Sequence, residues 1–288
     1  MTLFALLLAV SADTGITRTI VVAPAETIAV TTAGAGAPVI LLPGLLGGAF
    51  GYRHVMTLLA RNGRRAIVIE PLGFGASSAP AGANYSLTAQ ADRIIAVMDS
   101  LHARDAVVVA HSSGAGIAYR LALRRPDLVH GLVSIEGGPI ETAGTPGVRN
   151  IARAAPWLRI LGIRKTLRSR IRRGLVVNSG STGWVTDSVV EAYVDAFDRD
   201  YRSLVAVFQG MLRSREPAPL RLMLPRIRCP VILIVGTARH TGGVTAEDVA
   251  TLKRALPAMS VDTALGAGLY VYEEQPEAVV RAALSIRP

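Results

Sequence analysis

Short apolar runs alternate with helical stretches along most of this chain, and this alternation constrains its fold more than any other feature. Each run is rich in Val, Ile or Leu and closes on a Gly, Pro or polar residue; the runs are Val39–Leu42, Ala66–Glu70, Ala106–Ala110 and Leu132–Glu136. Parallel strands need a long crossover, usually a helix, to join them. The pattern therefore predicts an α/β fold with a mostly parallel central sheet flanked by helices.

The remaining elements of this sheet can be placed on the same grounds. An opening hairpin is predicted from Thr17–Val22 and Thr27–Thr32, which a Pro-containing turn separates. Helical spacing covers Tyr52–Asn62, Ser86–Leu101 and Gly114–Arg124. Towards the C-terminus we predict, in order, strand Val231–Val235, helix Thr245–Leu256, strand Ser260–Ala264 and helix Pro276–Ile286.

The alternation stops between Pro139 and Arg228. This stretch contains helical patterns, among them Trp184–Phe197 and Tyr201–Arg215, and no convincing strand. We therefore predict a helical cap over 139–228, inserted into a core made of 13–138 and 229–288.

Composition limits the classes of protein to consider. The chain has 288 residues, of which 50% are hydrophobic and 18% charged, and it has the size of one large α/β domain with an insertion. Its net charge is +10, but no aromatic and basic stripe or nucleic-acid motif accompanies that charge, so no nucleic-acid partner is predicted. The basic stretch Pro156–Arg173 is interpreted as a solvated amphipathic cap helix, with contact to an anionic ligand or a membrane surface as the alternative. Cys229 is the single cysteine, so no intrachain disulfide is expected.

Residues 1–12 form a separate apolar segment. The run Leu3 to Val10 suits the apolar region of a signal peptide, although no Lys or Arg precedes it. A bilayer span needs about 20 residues, so no integral membrane span is predicted. Export and a cytoplasmic location both stay open.

A tight turn between a predicted strand and a predicted helix reads Ala110-His111-Ser112-Ser113-Gly114. It resembles the nucleophile elbow of the α/β-hydrolase family, Gly-x-Ser-x-Gly, with Ala110 in place of the first glycine. The elbow needs small residues at both ends because its turn is so sharp. The resemblance implies that Ser112 is the nucleophile; the alternative is an inert serine that caps the helix.

Two further segments resemble the same family. Leu41-Leu42-Pro43-Gly44-Leu45-Leu46-Gly47-Gly48 is similar to its oxyanion-hole loop, with Pro43 in place of the usual histidine. The resemblance implies that the backbone N–H groups of Leu45 and Ser113 would hold an oxyanion. The loop Glu70–Ser77 is also family-like and is interpreted as structural. No metal or organic cofactor is implied, and the oligomeric state is not indicated.

Two triad positions depart from the family pattern. In Gly266-Ala267-Gly268-Leu269-Tyr270 the residue at the expected histidine position is Leu269. In Gly236-Thr237-Ala238-Arg239-His240 the residue at the expected aspartate position is Arg239. The resemblance therefore predicts a degenerate triad.

His240 is the one histidine expected to replace the missing base. Its loop leaves the carboxyl end of a strand near the elbow, and Glu136 ends a neighbouring strand. We predict a Ser112–His240–Glu136 arrangement, since triads are defined by geometry rather than chain order. His111 is expected to pack away from the nucleophile, and the other three histidines to be ordinary.

Two functions follow from these observations. The first is an esterase-like serine hydrolase that acts on a carboxylic ester or similar acyl substrate through Ser112. The second is a catalytically inactive α/β-hydrolase-fold protein that binds a small apolar ligand, since Leu269 would make the pocket drier.

Overall fold

The computed structural model describes residues 15–45, 47–150, 152–153, 163–195 and 201–286. The signal-like segment 1–12 and part of the basic stretch 156–173 lie outside these ranges. The described residues form an eight-stranded sheet in the order β1-β2-β4-β3-β5-β6-β7-β8. The strands are β1 Ile16–Ala23, β2 Glu26–Ala33, β3 Ala37–Leu42, β4 Arg64–Ile69, β5 Ala106–His111, β6 Val129–Ile135, β7 Val231–Gly236 and β8 Met259–Ala264.

The sheet is antiparallel at one edge and parallel elsewhere. β1 pairs with β2, and β2 with β4, in antiparallel register, whereas every pair from β4 through β3 to β8 is parallel. The predicted α/β fold with an opening hairpin is thus confirmed.

Helices cover both faces of this sheet and fill the interval between β6 and β7. They are α1 Arg53–Arg61, α2 Leu87–Ser100, α3 Ser113–Arg124, α4 Ile163–Val177, α5 Asp187–Asp195, α6 Tyr201–Arg213, α7 Leu220–Met223, α8 Ala246–Ala255, α9 Val271–Glu274 and α10 Pro276–Ser285. No helix among the described residues is both long and apolar enough to cross a bilayer.

The alternation of side chains along each strand explains the two-sided core. In β3, Ile40 and Leu42 are buried on the face that α2 and α3 cover, whereas Val39 and Leu41 are buried on the face of α1 and α10. Successive residues of a strand point to opposite faces, so a strand with helices on both sides is apolar throughout. This is why the central strands read as continuous apolar runs.

The segment between β6 and β7 contains α4 to α7, where the helical cap is predicted over 139–228. The predicted helix Trp184–Phe197 begins at Asp187, and residues 196–200 lie outside the described ranges. The segment is fastened to the core by Glu216, whose carboxylate accepts hydrogen bonds from the N–H groups of Leu87 and Thr88 at the start of α2. The limits of the cap remain a prediction.

The parallel register brings several loop starts to one edge of the sheet. Leu42 is level with Ala110, Ala110 with Ser134, and Ile135 with Ile234. The chain therefore leaves β3, β5, β6 and β7 at neighbouring points of the carboxyl edge, where ligands bind in open α/β sheets.

The family-like loop after β4 has the structural role expected of it. The Glu70 carboxylate accepts hydrogen bonds from the N–H of Ala49 at 2.8 Å and of Ala76 at 2.7 Å. Gly75 has φ +47°, and a Cβ there would collide with that carboxylate. Glu70 thus ties two loops together beside the carboxyl edge.

Candidate active site

Ser112 stands on a strained turn between β5 and α3. Its φ is 47° and its ψ is −116°, a region that residues with a side chain rarely occupy. Its N–H donates to the Ile135 carbonyl at 2.9 Å, and its carbonyl accepts from the Ala115 N–H at 3.0 Å. A Cβ on Gly114 would lie 2.7 Å from the Leu42 carbonyl oxygen, which explains why the elbow ends in glycine. The local backbone has the geometry of a nucleophile elbow.

The Ser112 hydroxyl is not used for capping. Ser112 occupies the N-cap position of α3, but its side chain makes no capping hydrogen bond. None of the described residues forms a hydrogen bond with its Oγ, and the residue is only partly buried. The capping hydrogen bond that the helix-cap alternative requires is therefore not formed.

The two residues predicted for the oxyanion hole lie together. The Leu45 N–H donates to Ser113 Oγ at 2.7 Å. Ser113 is the first residue of α3, so its own N–H has no partner within the helix. The two residues are in contact, and the Ser113 side-chain oxygen accepts from one of the two backbone donors, a contact that sequence patterns do not show. Their role as an oxyanion hole stays a prediction.

Leu269, at the expected histidine position, is 9% exposed and held by its backbone. Its N–H donates to the Asn178 carbonyl at 2.8 Å. Its carbonyl oxygen lies 3.1 Å from His111 Nε2, which must carry the hydrogen because a carbonyl only accepts. Backbone hydrogen bonds thus hold this segment in place, and the side chain at the expected histidine position is not a base.

His111 is buried among aromatic rings rather than simply turned aside, which the sequence did not indicate. Its ring centroid lies 4.9 Å from that of Tyr272 and 6.0 Å from that of Tyr270. Burial lowers the pKa of His111 to about 4, while the hydrogen bond to Leu269 acts in the opposite direction. The imidazole is therefore neutral at physiological pH.

A second buried contact joins α5 to α1 and α9. Glu273 Oε1 accepts hydrogen bonds from the Tyr193 hydroxyl and from Arg53, each at 2.8 Å. The Trp184 ring lies between Tyr193 and Tyr270, with centroids at 6.4 and 5.8 Å. This cluster packs next to Tyr270, which follows Leu269 in the chain. Its members are far apart in the sequence, so sequence patterns did not predict it.

Glu136 and His240 are close together, as the predicted arrangement requires. His240 Nε2 lies 3.3 Å from Glu136 Oε2, whose side chain is inaccessible to solvent. The same carboxylate accepts hydrogen bonds from the N–H of Gly236 at 2.6 Å and of Val244 at 3.1 Å. Glu136 has φ 50°, which turns its side chain towards β7.

The structure shows no hydrogen bond between His240 and Ser112. His240 Nδ1 lies 2.8 Å from the Ala238 carbonyl oxygen, so both ring nitrogens face acceptors. The hydrogen bond to Ala238 requires a hydrogen on Nδ1, because a carbonyl oxygen only accepts. Arg239, at the expected aspartate position, is exposed. The contact between His240 and Glu136 is thus formed without a hydrogen bond to Ser112.

A small cavity lies beside the oxyanion residues. It has a volume of about 20 Å³, room for one water molecule. Leu45 and Ser113 form one wall, and Phe74, Val148 and Met211 form others. Among the described residues, no group of three or more His, Cys, Asp or Glu could hold a metal ion.

Comparison with known proteins assigns the family. Residues 37–176 match the family model described as the alpha/beta hydrolase fold. The chain is 37% identical to a 2-hydroxymuconate semialdehyde hydrolase of Pseudomonas sp. (strain CF600) over 119 residues, which are 40% of this chain and 41% of that protein. It is 30% identical to a magnesium-chelatase 30 kDa subunit of Rhodobacter capsulatus over 243 residues, 82% of each chain.

Solved structures agree with this assignment. A bromoperoxidase from Bacillus anthracis has a TM-score of 0.76 at 18% identity, covering 94% of this chain and 99% of that one. An esterase from Thermogutta terrifontis has a TM-score of 0.73 at 21% identity, covering 94% and 97%. The chain belongs to the α/β-hydrolase fold family and has hydrolases among its relatives. The matches span only 41% and 30% of the semialdehyde hydrolase and of an epoxide hydrolase of Caballeronia sordidicola.

Proposed function

We propose that this protein is a serine hydrolase that opens a carboxylic ester or similar acyl bond through Ser112. The observation that carries the proposal is the backbone of Ser112, which has a φ of 47° and whose side chain makes no capping hydrogen bond. Such a conformation costs of order 1–3 kcal/mol and clusters at functional sites. The Ser112 hydroxyl, which forms no hydrogen bond with the described residues, is the group that an acyl-transfer reaction needs.

The reaction would use the His240–Glu136 pair as its base. His240 takes the hydroxyl proton while Ser112 Oγ bonds to the acyl carbon, and the N–H groups of Leu45 and Ser113 hold the oxyanion. The bond to the leaving alcohol then breaks, and its oxygen receives the proton from His240. Water repeats both steps and releases the acid.

One rearrangement must precede this reaction. His240 has to leave one of its two acceptors so that a ring nitrogen can face Ser112. Thr237, Arg239, Thr241 and Gly242 in its loop are exposed, so the change is opposed mainly by hydrogen bonds of the loop, such as that from the Thr241 N–H to Asn178. Glu136, held by two backbone N–H groups, stays in place to stabilise the imidazolium.

The acyl group of the proposed substrate is short. The cavity next to Leu45 and Ser113 is apolar and has a volume of about 20 Å³. A group the size of a methyl fills that space, whereas a longer chain meets Phe74 and Met211. An acetyl ester is therefore the preferred test substrate.

Hydrolysis of p-nitrophenyl acetate tests the proposal. Wild type should turn over the ester, and Ser112→Ala should reduce the rate by about 10⁴-fold or more, because removing such a nucleophile removes the covalent route. Ser169→Ala, which changes an exposed serine on α4, is the matched control and should behave like wild type. Equal rates in Ser112→Ala and wild type would contradict the proposal.

A second candidate is a binding protein without turnover. The observation that favours it is the buried backbone hydrogen bond between His111 and Leu269, which fixes the segment where a base would stand. The relative matched over 82% of this chain is named as a magnesium-chelatase subunit rather than as a hydrolase. A small apolar ligand would then bind in the same pocket, and Ser112→Ala would leave its affinity unchanged while bulky substitutions at the pocket walls weaken it.

A further inference from the structure

The contact between Leu45 and Ser113 occupies a donor that the proposed reaction needs. Ser113 Oγ lies 2.7 Å from the Leu45 nitrogen, a short hydrogen bond for a neutral pair. An oxyanion stabilised by the Leu45 N–H would have to stand at a similar distance from the same nitrogen. The hydroxyl and the oxyanion therefore compete for one backbone N–H.

We propose that the Ser113 side chain is a positioning residue that holds the Leu45 N–H in line and yields it only to a full negative charge. This inference rests on the proposed function, since it concerns the oxyanion of that reaction. The Ser113 hydroxyl turns about its own Cα–Cβ bond to leave the N–H, and no covalent bond changes.

The strengths of the competing hydrogen bonds make this exchange selective. A hydrogen bond to an ionised acceptor is about twice as strong as one between neutral groups. A neutral ester carbonyl gains little by displacing the hydroxyl, whereas the oxyanion of the tetrahedral intermediate gains more. The hydroxyl thus yields the Leu45 N–H chiefly to the charged intermediate, and its displacement is a cost that every oxyanion must meet.

The inference concerns the hydroxyl alone. The first residue of a helix needs no side-chain hydroxyl, so Ser113→Ala keeps the backbone N–H of α3 and removes only Oγ. The Leu45 N–H is then left to water, which an oxyanion displaces more easily than a tethered group. We expect labelling of Ser112 by a fluorophosphonate to become about two- to tenfold faster, the size of one neutral hydrogen bond.

Two measurements on the full chain test this inference. Amide hydrogen exchange of Leu45, followed by NMR, reports the contact without any reaction. Fluorophosphonate labelling, followed by intact mass, reports its effect on Ser112. Ser113→Thr retains a hydroxyl and is the matched variant; it should keep Leu45 protected, whereas Ser113→Ala should expose it.

Faster Leu45 exchange together with faster labelling in Ser113→Ala, compared with wild type, supports the inference. Unchanged exchange shows that the contact does not form in solution and overturns it. Faster exchange with slower labelling also overturns it, because the hydroxyl then assists the reaction as a donor. Faster exchange with no labelling of any variant overturns the proposed function, and with it the role of Ser113 in catalysis, while the contact itself stands.

Discussion

The two sides of the candidate site differ in what holds their chemistry in place. On the elbow side, Ser112 and the oxyanion residues depend on backbone geometry: a strained turn, a helix start and a glycine with no room for a side chain. On the side of β7 and β8, the proposed chemistry depends on single side chains, and two positions depart from the family pattern that the sequence resembles. Leu269 is buried without disturbing the fold, and Arg239 simply points to solvent.

This difference teaches which features a fold retains. The elbow is tied into the sheet by the hydrogen bond from Ser112 to Ile135 and by the close packing of Gly114, so losing it would disturb the core. A triad side chain contributes little to the packing of the core. An apolar residue at the same position stabilises the folded state when its side chain is buried. The elbow alone is therefore weaker proof of catalysis than a complete triad.

The largest expected effect concerns the replacement base. His240→Ala should lower p-nitrophenyl acetate hydrolysis by about 10³-fold or more, because a serine hydroxyl without a base is a poor nucleophile. His130→Ala is the matched control, since His130 lies at the amino end of β6, away from the carboxyl edge, and pairs with Asp105. A wild-type rate in His240→Ala would show that the β7 side supplies no base. The proposed chemistry on that side of the site would then be wrong.

A double substitution would sharpen the comparison from the other direction. Leu269→His with Arg239→Asp restores the two family positions on the loops after β8 and β7. We expect hydrolysis to rise by about 10²-fold, a typical contribution of a positioned general base. Leu269→Gln with Arg239→Asn is the control for polarity alone. No gain in a folded double variant would show that the elbow side itself is incompetent.

The pH dependence of stability tests the buried state of His111. Its pKa is lowered from 6.5 to about 4 by burial, so the unfolded chain takes up the proton first. This contribution to stability is fully present above pH 6.5 and is lost as the pH falls from 6.5 towards 4. The free energy of unfolding in urea should drop by about 2 kcal/mol between pH 7 and pH 5 from this group.

The control for that experiment is His111→Gln, in which the drop between pH 7 and pH 5 should shrink by the same amount. His54→Gln, at an exposed histidine on α1, should keep the wild-type slope. If His111→Gln also keeps the slope, His111 is accessible to water and its contact with Leu269 is not maintained in solution.

The smallest expected effect concerns the acyl pocket. Met211→Ala enlarges the cavity beside Leu45 and Ser113, so the ratio of butyrate to acetate hydrolysis should rise about tenfold, within the range for one or two methylene groups. Met223→Ala changes a methionine in the same segment away from this cavity and should leave the ratio unchanged. An unchanged ratio in Met211→Ala would place the acyl group elsewhere.

The sequence predicted the backbone features of the fold and site well. Continuous apolar runs located the central strands, because those strands are buried on both faces. The structure places Glu136 and His240, which follow two of these strands, in contact. The family resemblance pointed to the elbow and to the two positions that depart from the pattern, and the roles of these residues stay predictions. These inferences depend on local pattern or on strand order, which a single sequence carries.

Side-chain choices between distant segments were not predictable. Three hydrogen bonds of the site join residues that are far apart in the chain: Leu45 with Ser113, His111 with Leu269, and Tyr193 with Glu273. Each depends on which rotamer fits once the cap and loops are packed. The sequence therefore indicated which residues gather at the site but not which way they turn.

The central claim is that Ser112 remains an activated nucleophile although Leu269 occupies the histidine position. Its most direct test is covalent labelling by a fluorophosphonate, followed by intact mass, in wild type and in Ser112→Ala. The account predicts rapid addition of one phosphonate to wild type and none to Ser112→Ala. Absence of labelling in folded wild-type protein would contradict it and would make the pocket a binding site.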